Sequence, residues 1–303
     1  MAASSAFLSD APFIVAHRCG GADAPENTLY AALKALEAGA RVLQVDCTFT
    51  KDKEIVVLHD EPKENNLRKL CGDDYEGVQA SDVDWANFPK LLPRVPLNAM
   101  CDPGWMPTSA SSFSTLRGFL SGLPPDALVL LELWSDDTSL VPAVISVVDS
   151  LDRARTTALG HPFNASISAA IDAANASRPS ASLPPLSRIM NAGEILKANF
   201  TPRFIMAEPK SGVIYSVPVV TKRWGYLFSL LLKRARPPLW LRALLGMLGW
   251  AFWSPRTVAY MKARGVPTFG WILNDGEERE MARRLGVDGI MTDYVVEAVK
   301  ELR

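Results

Sequence analysis

Phe13-Ile14-Val15-Ala16-His17-Arg18-Cys19-Gly20-Gly21 is the stretch on which the fold turns. Four apolar residues predict a short buried strand, and that strand runs straight into an imidazole and a guanidinium. An open, doubly wound sheet would follow its first strand with a G-x-G-x-x-G phosphate loop, and His-Arg-Cys-Gly-Gly lacks that spacing. In a (β/α)8 barrel, by contrast, chemistry sits at the C-terminal ends of several strands, which is where His17 and Arg18 fall. The stretch therefore predicts an α/β chain folded as a TIM barrel.

Outward from it the same unit recurs. Leu29–Leu36, within Thr28–Ala38, has helical spacing, and Val42–Phe49 alternates with Leu43, Val45 and Cys47 on one face and Gln44, Asp46 and Thr48 on the other. Ile55–Leu58 reads as a further strand running into His59-Asp60, and Leu128–Leu133 as an apolar strand with one charge, Glu132. Asp136-Asp137-Thr138 reads as the N-cap of a helix over Leu140–Leu151. Near the C-terminus come a helix over Arg256–Arg264, a strand over Val266–Leu273, a helix over Glu277–Leu285 and a strand over Gly289–Thr292. Strands alternating with helices in short units predict a parallel sheet. Ser- and Pro-rich patches at Met106–Ser114 and Ser177–Pro185 read as surface loops. The chain of 303 residues suits one barrel of about 250, with no separating linker. The expectation is an extension over 1–12 and a single barrel domain over 13–303.

Composition narrows the class. Hydrophobic types make up 48% and charged residues 21%, which excludes a disordered or fibrous chain. Cys19, Cys47, Cys71 and Cys101 show no C-x-x-C spacing, so reduced thiols are expected rather than a disulfide framework or zinc site. The first ten residues lack the basic start and apolar run of a secretory signal, so the expected compartment is cytoplasmic.

The net charge of −1 hides an asymmetry: from Pro209 to Asn274 there are ten Lys or Arg and no Asp or Glu. The rest of the chain therefore carries −11. Five of the eight Trp residues, Trp224, Trp240, Trp250, Trp253 and Trp271, lie in the same segment. Cations, indoles and Leu-rich runs together suit an anionic membrane surface, met by residues 222–253, better than nucleic acid. The apolar runs, broken by Arg242 and by Lys-Arg-Ala-Arg-Pro-Pro, fall short of the roughly 20 residues a spanning helix needs. Two ordinary core helices with a basic rim are the bland alternative.

Candidate chemistry gathers at the strand ends: His17 and Arg18, Gln44 and Asp46, His59 and Asp60, and Glu132. Oxygen ligands for a hard divalent cation, two imidazoles to trade a proton and a guanidinium for a phosphate oxygen suit phosphodiester chemistry.

These residues also carry a resemblance. His17-Arg18 with Pro25-Glu26-Asn27-Thr28, then Gly39-Ala40, Leu43-Gln44-Val45-Asp46, Thr50-Lys51-Asp52 and Val56-Val57-Leu58-His59-Asp60, resemble the motifs of glycerophosphodiester phosphodiesterases. Met106-Pro107-Thr108, Leu131-Glu132-Leu133, Trp271 with Asn274, and Val287–Tyr294 are similar to later elements of that family, while the middle of the chain matches poorly. The resemblance implies a TIM barrel and a metal-dependent phosphodiester hydrolase. It implies that His17 and His59 act as general acid and base, that Gln44, Asp46 and Glu132 hold one Mg²⁺ or Ca²⁺, and that Arg18 contacts the phosphate. Glu26 and Trp271, in the matched motifs, join Arg18 as substrate-binding candidates. Asp46-Cys47 and Met291–Tyr294 share wording with membrane-associated lysophospholipase D members, which favours a lysophospholipid over a free glycerophosphodiester as substrate.

Three positions depart from the pattern. Gln44 stands for a ligating Glu and lowers the expected metal affinity, Cys19 stands for a Gly beside the phosphate, and Trp134 stands for a Lys. Two rival readings follow: a catalytically weakened relative that binds lipid or phosphodiester, and a sphingomyelinase D-like activity. His161, between Gly160 and Pro162, reads as a structural loop residue.

Overall fold

A computed structural model describes residues 6–61, 66–96, 105–108, 111–178, 184–201, 212–218 and 255–303. Most of the basic segment, including 222–253, lies outside the described residues, as do most of the residues between Ser177 and Pro185.

The strands are β1 (Phe13–Ala16), β2 (Val42–Phe49), β3 (Ile55–Val57), β4 (Arg94–Pro96), β5 (Trp105–Pro107), β6 (Leu128–Leu133), β7 (Thr157–Gly160), β8 (Ser187–Ile189), β9 (Val213–Pro218), β10 (Thr268–Trp271) and β11 (Gly289–Thr292). Strands β1, β2 and β6 to β11 run parallel, each pairing with its neighbours. Pairing of β11 with β1, and of β1 with β2, closes the ring. This is an eight-stranded parallel barrel with helices between its strands, one domain as the sequence predicts.

Alternation decides which side chains enter the lumen. Phe13, Val15, Val42, Leu130, Ala158, Ile189, Ile214, Phe269 and Met291 form one buried cluster inside the ring. Their neighbours Ile14, Leu43, Val45, Cys47, Val129, Leu131 and Leu159 belong to a second cluster that includes residues of the surrounding helices. At Gly289 the lumen leaves no room for a side chain: a Cβ there would fall 2.5 Å from Phe269 Cδ1 and 2.9 Å from Val15 Cγ2. Phe7, fully buried, joins the lumen cluster, and Arg41 fixes this segment by donating to the carbonyls of Ala6 and Leu8. Arg41 directly precedes β2, so Phe7 plugs the N-terminal end and leaves the opposite end to the site.

Local chemistry explains the helix ends. Thr28 caps the helix Leu29–Ala38 by accepting from the Ala31 N–H, and Gly39, at φ 109°, ends it in the left-handed region. The helix Leu140–Ser150 differs from expectation at its start. Its cap is Ser139 without a side-chain bond, while Asp137 accepts the Ser139 N–H and pairs with Lys53.

Ile55–Leu58 is the larger correction. Strand β3 turns back antiparallel to β2, with Cys47 opposite Val57, and contributes no stave to the ring. Behind it, the chain up to the helix Leu116–Gly122 is an insertion with its own buried cluster of Val56, Leu58, Leu67, Leu70, Val95 and Met106. Part of the expected loop at Met106–Ser114 is strand β5, paired with β4. The single-strand pattern could not reveal its direction, because hairpin and crossover strands share one apolar alternation.

Removing the Phe7 ring leaves a cavity at the lumen floor. Phe7→Ala is expected to lower unfolding free energy by about 3–5 kcal/mol in urea denaturation, and an unchanged midpoint would show the plug to be dispensable.

Candidate active site

Strand β1 ends in a tight turn, His17–Cys19, in which Arg18 (φ 47°), Cys19 (φ 66°) and Gly20 (φ 87°) are successively left-handed. The family's Gly at position 19 fits that backbone at least cost. Cys19 adopts it nonetheless, and its side chain packs into the buried cluster behind the barrel, with Sγ 3.8 Å from the Gln44 carbonyl. Burial, then the Asp46 charge, pushes this thiol well above its usual range, so it stays protonated at neutral pH. The side chain does not enter the mouth, as the sequence had suggested.

The turn leaves His17 braced by the last barrel strand. His17 Nδ1 lies 2.7 Å from Asp293 Oδ1, just beyond β11, and Asn274 donates to Asp293 Oδ2 at 2.7 Å. Thr292 Oγ1 and the Asp293 N–H both donate to Asn274 Oδ1, which fixes the amide's orientation. Burial opposes the Asp293 charge, but His17, Asn274 and Arg18 outweigh it and hold the carboxyl below its ordinary range. A carboxylate on Nδ1 fixes the proton there and leaves Nε2 as the accepting nitrogen of the neutral ring.

Asp46, fully enclosed near the end of β2, collects donors from several elements. Gln44 Nε2 and Trp134 Nε1 both donate to Oδ1 at 2.8 Å. Asn27 Nδ2 donates to Oδ2 at 2.9 Å, and Arg18 Nε stands 3.7 Å from that oxygen. Asn27, itself left-handed at φ 56°, accepts the Asp46 N–H in return. Burial raises the Asp46 pKa, but His59, Arg18, the Asn27 amide and His17 together leave it below the usual value. The side-chain oxygen Oε1 of Gln44 accepts the Arg18 backbone N–H at 2.6 Å. Arg18 also donates to Glu26, whose second oxygen pairs with Lys69 at 3.3 Å. In Glu26-Asn27-Thr28, one residue holds cations, the next holds Asp46 and the third caps a helix.

Glu132 lies beside Asp46 in the β2–β6 register. Burial and the Asp46 charge push its pKa up to about 8, against the pull of Arg18 and the Trp134 indole. His59 follows β3, buried, with Asn66 donating to its carbonyl and standing 3.1 Å from Nδ1. That contact makes Nδ1 the acceptor and assigns the neutral ring's proton to Nε2, the reverse of His17.

The His59 ring packs on Trp134 at 4.1 Å between centroids. Trp134 packs on His161 at 4.5 Å, and Phe163 links His161 to Trp271 with centroids 6.4 and 6.3 Å apart. The row borders a cleft of about 400 Å³ lined by Thr48, Lys51, Asp60, Trp134, Asp136 and His161.

His17, Arg18, Glu26, Gln44, Asp46, His59 and Glu132 therefore meet at one end of the barrel, with Trp271 at the end of the aromatic row. Sequence reasoning missed the bracing roles of Asp293, Asn274 and Asn27, and read His161 as lying apart. The only signal for His161 was a faint one: it follows Thr157-Ala158-Leu159-Gly160 as His17 follows Phe13–Ala16, but the polar Thr157 leaves too short an apolar run to mark a strand. Among the described residues, no three His, Cys, Asp or Glu side chains are arranged to hold a metal ion, and no helix is long and apolar enough to cross a membrane.

A parallel barrel with two histidines, an arginine and buried carboxylates at its C-terminal mouth has the make-up of a phosphoric diester hydrolase. The chain belongs to the glycerophosphoryl diester phosphodiesterase family, whose pattern matches residues 17–297. It is 25% identical over 296 residues to lysophospholipase D GDPD1 of Homo sapiens, spanning 92% of this chain and 82% of that protein. Lysophospholipase D GDPD3 of Mus musculus is 24% identical over 93% of this chain and 79% of its own length. Two solved structures share the fold, each with a TM-score of 0.58. One is a glycerophosphodiester phosphodiesterase of Thermotoga maritima, 20% identical over 97% of this chain and 100% of that one. The other is a phosphodiesterase of Oleispira antarctica in complex with the product sn-glycerol-3-phosphate, 17% identical over 96% of each chain. Enzymes of this family generally depend on a divalent metal.

His161 supplies a pH test. Its Nδ1 accepts the Phe163 and Asn164 N–H groups, and burial lowers its pKa to about 4. The unfolded chain, with an ordinary histidine, binds the extra proton between about pH 6.5 and 4, so this stability is present above 6.5 and lost as pH falls. His161→Asn, which keeps an acceptor and cannot titrate, is expected to remove about 3 kcal/mol of the stability lost between pH 7 and pH 4. Equal losses in both proteins would refute the assignment.

Proposed function

We propose that this chain cleaves a lysophospholipid or glycerophosphodiester on the head-group side of its phosphate, in the manner of a lysophospholipase D, with His17 and His59 as the acid–base pair. The observation that carries this reading is the opposite hydrogen-bonding of the two rings. Asp293 holds the proton on His17 Nδ1, so Nε2 can accept one; Asn66 faces His59 Nδ1, so Nε2 can give one.

In the proposed step, the nucleophile, a water or a neighbouring substrate hydroxyl, loses its proton to His17 Nε2 as its oxygen bonds to phosphorus. The bond from phosphorus to the head-group oxygen breaks, His59 Nε2 protonates that oxygen, and the proton taken up by His17 returns to His59 through solvent, restoring both neutral rings. Arg18 meets the charge on the phosphoryl oxygens, while Glu26 orients the guanidinium. Every transfer at the reacting atoms in this scheme is made by the chain's own residues.

The lysophospholipid preference is supported by the lysophospholipase D relatives and by the charge and Trp content of 222–253, which suit an anionic membrane surface where such a substrate resides. We expect a protein of the cytoplasm that meets membranes peripherally.

Choline or ethanolamine release from lysophospholipids and glycerophosphodiesters tests the reaction. His17→Ala and His59→Ala are each expected to reduce kcat by roughly 10²–10⁴-fold, and undiminished turnover in both would refute the acid–base assignment. No release by the wild type from any of these substrates would instead favour a phosphodiester-binding protein without turnover. The membrane reading has its own check: flotation with anionic liposomes should fall when Lys233, Arg234 and Arg236 are reversed to Glu, and with added salt. Flotation unchanged by either would remove the basic surface from the proposal.

A further inference from the structure

Two of the three residues expected to ligate a cation, Gln44 and Asp46, are hydrogen-bonded to one another in a way that leaves a cation little to bind. A hard divalent ion needs oxygen lone pairs aimed at one point. Here Asp46 Oδ1 already accepts two N–H donors, from Gln44 and Trp134, and Oδ2 accepts Asn27 and faces Arg18. The Gln44 amide turns its NH₂, not its oxygen, toward Asp46.

Two contacts fix that orientation. Gln44 Oε1 takes the Arg18 N–H at 2.6 Å, and Gln44 Nε2 gives to Asp46 at 2.8 Å. A flipped amide would set donor against donor at Arg18 and acceptor against acceptor at Asp46. Of the three candidate ligands, only Glu132 has a carboxyl group that is not already bonded to another of the set, and one carboxyl group is not a chelate.

We infer that Gln44 and Trp134 together take the place of the divalent cation, so that this chain's barrel mouth does not hold Mg²⁺ or Ca²⁺ as the family pattern implies. Two carboxylates at 44 and 46, as in that pattern, repel and call for a cation between them. An amide at 44 removes the repulsion and supplies a donor instead. The two departures also cancel in formal charge: Glu to Gln removes one negative charge, and Lys to Trp one positive. Each ends in an N–H aimed at the same oxygen of Asp46. Chance changes in separate residues would not be expected to converge on one atom. The inference rests on this geometry and not on the choice of substrate.

Titration calorimetry of the full chain with Mg²⁺, Ca²⁺ and Mn²⁺ tests it without reference to turnover. Gln44→Glu keeps the acceptor for the Arg18 N–H and turns the Asp46-facing donor into an acceptor. Trp134→Phe removes the second donor while keeping a ring against His59. No saturable uptake by the wild type at millimolar metal is expected, with affinity gained by roughly 10–100-fold in Gln44→Glu and further in the double variant. A wild type that binds one ion at submillimolar concentration, and loses it on Asp46→Asn, would overturn the inference. So would failure of a folded Gln44→Glu, checked by its melting curve, to gain any metal affinity; that single isosteric change keeps the test open if the Trp134 variants fail to fold.

Discussion

A carboxylate sealed inside a barrel costs several kcal/mol to desolvate unless donors replace its water, and Asp46 is that carboxylate. Its donors arrive from the turn after β1, the turn before the first helix, β2 itself and the chain beyond β6. Charge-assisted bonds of this kind are worth about 1.5–3 kcal/mol each when the partner is ionised. Removing any one leaves the charge partly bare. The mouth is thus organised around a single negative charge, and the positions of Arg18, Asn27, Gln44 and Trp134 follow from satisfying it.

Strand register is what delivers that arrangement. Asp46 pairs with Glu132 across β2 and β6, and the lumen parity that buries Val42 and Leu130 below them also turns Gln44, Asp46 and Glu132 inward. A slip of one residue would send the acids outward among the helices and bring Val45 and Leu131 into the mouth. A second contact works on the ring as a whole. His17 and Asp293 stand 276 residues apart in sequence and 2.7 Å apart in space, at adjoining ends of β1 and β11. The pair that sets the His17 tautomer is also a clasp across the seam where the barrel closes, so loosening the seam and misdirecting the imidazole are one event.

This explains what could be read in the sequence and what could not. Val42–Phe49 betrayed its two faces because both periodicity and polarity alternate there, and Gly289–Thr292 was found with its boundaries because apolar residues are framed by Asp288 and Asp293. Strands β7, β8 and β9 escaped: they are three to six residues long and carry Thr157, Ser187, Arg188 and Ser216 among their apolar residues, so no run stands out. The direction of β3 was hidden because an antiparallel hairpin strand shows the same alternation as a barrel strand. Roles that depend on a partner far along the chain were invisible too. Asn27 and Asn274 looked like ordinary polar motif residues until the fold set one against Asp46 and the other against Asp293.

Trp134 shows why a departure from a family pattern has to be judged by what it touches. Taken alone, the loss of a Lys there removes a cation from a phosphate site. In the folded chain the indole bonds to Asp46 while its ring lies against both His59 and His161, filling the space between the acid and the two imidazoles. An aliphatic ammonium could satisfy the carboxylate, but it could not also pack flat surface against two rings. The substitution therefore exchanges a mobile charge for a fixed wall. With Asn66 bonded to the His59 carbonyl and this wall beside its ring, the orientation of His59 is set by packing as well as by hydrogen bonding. That fixed orientation is what the role proposed for it, proton donor to a departing oxygen, would require.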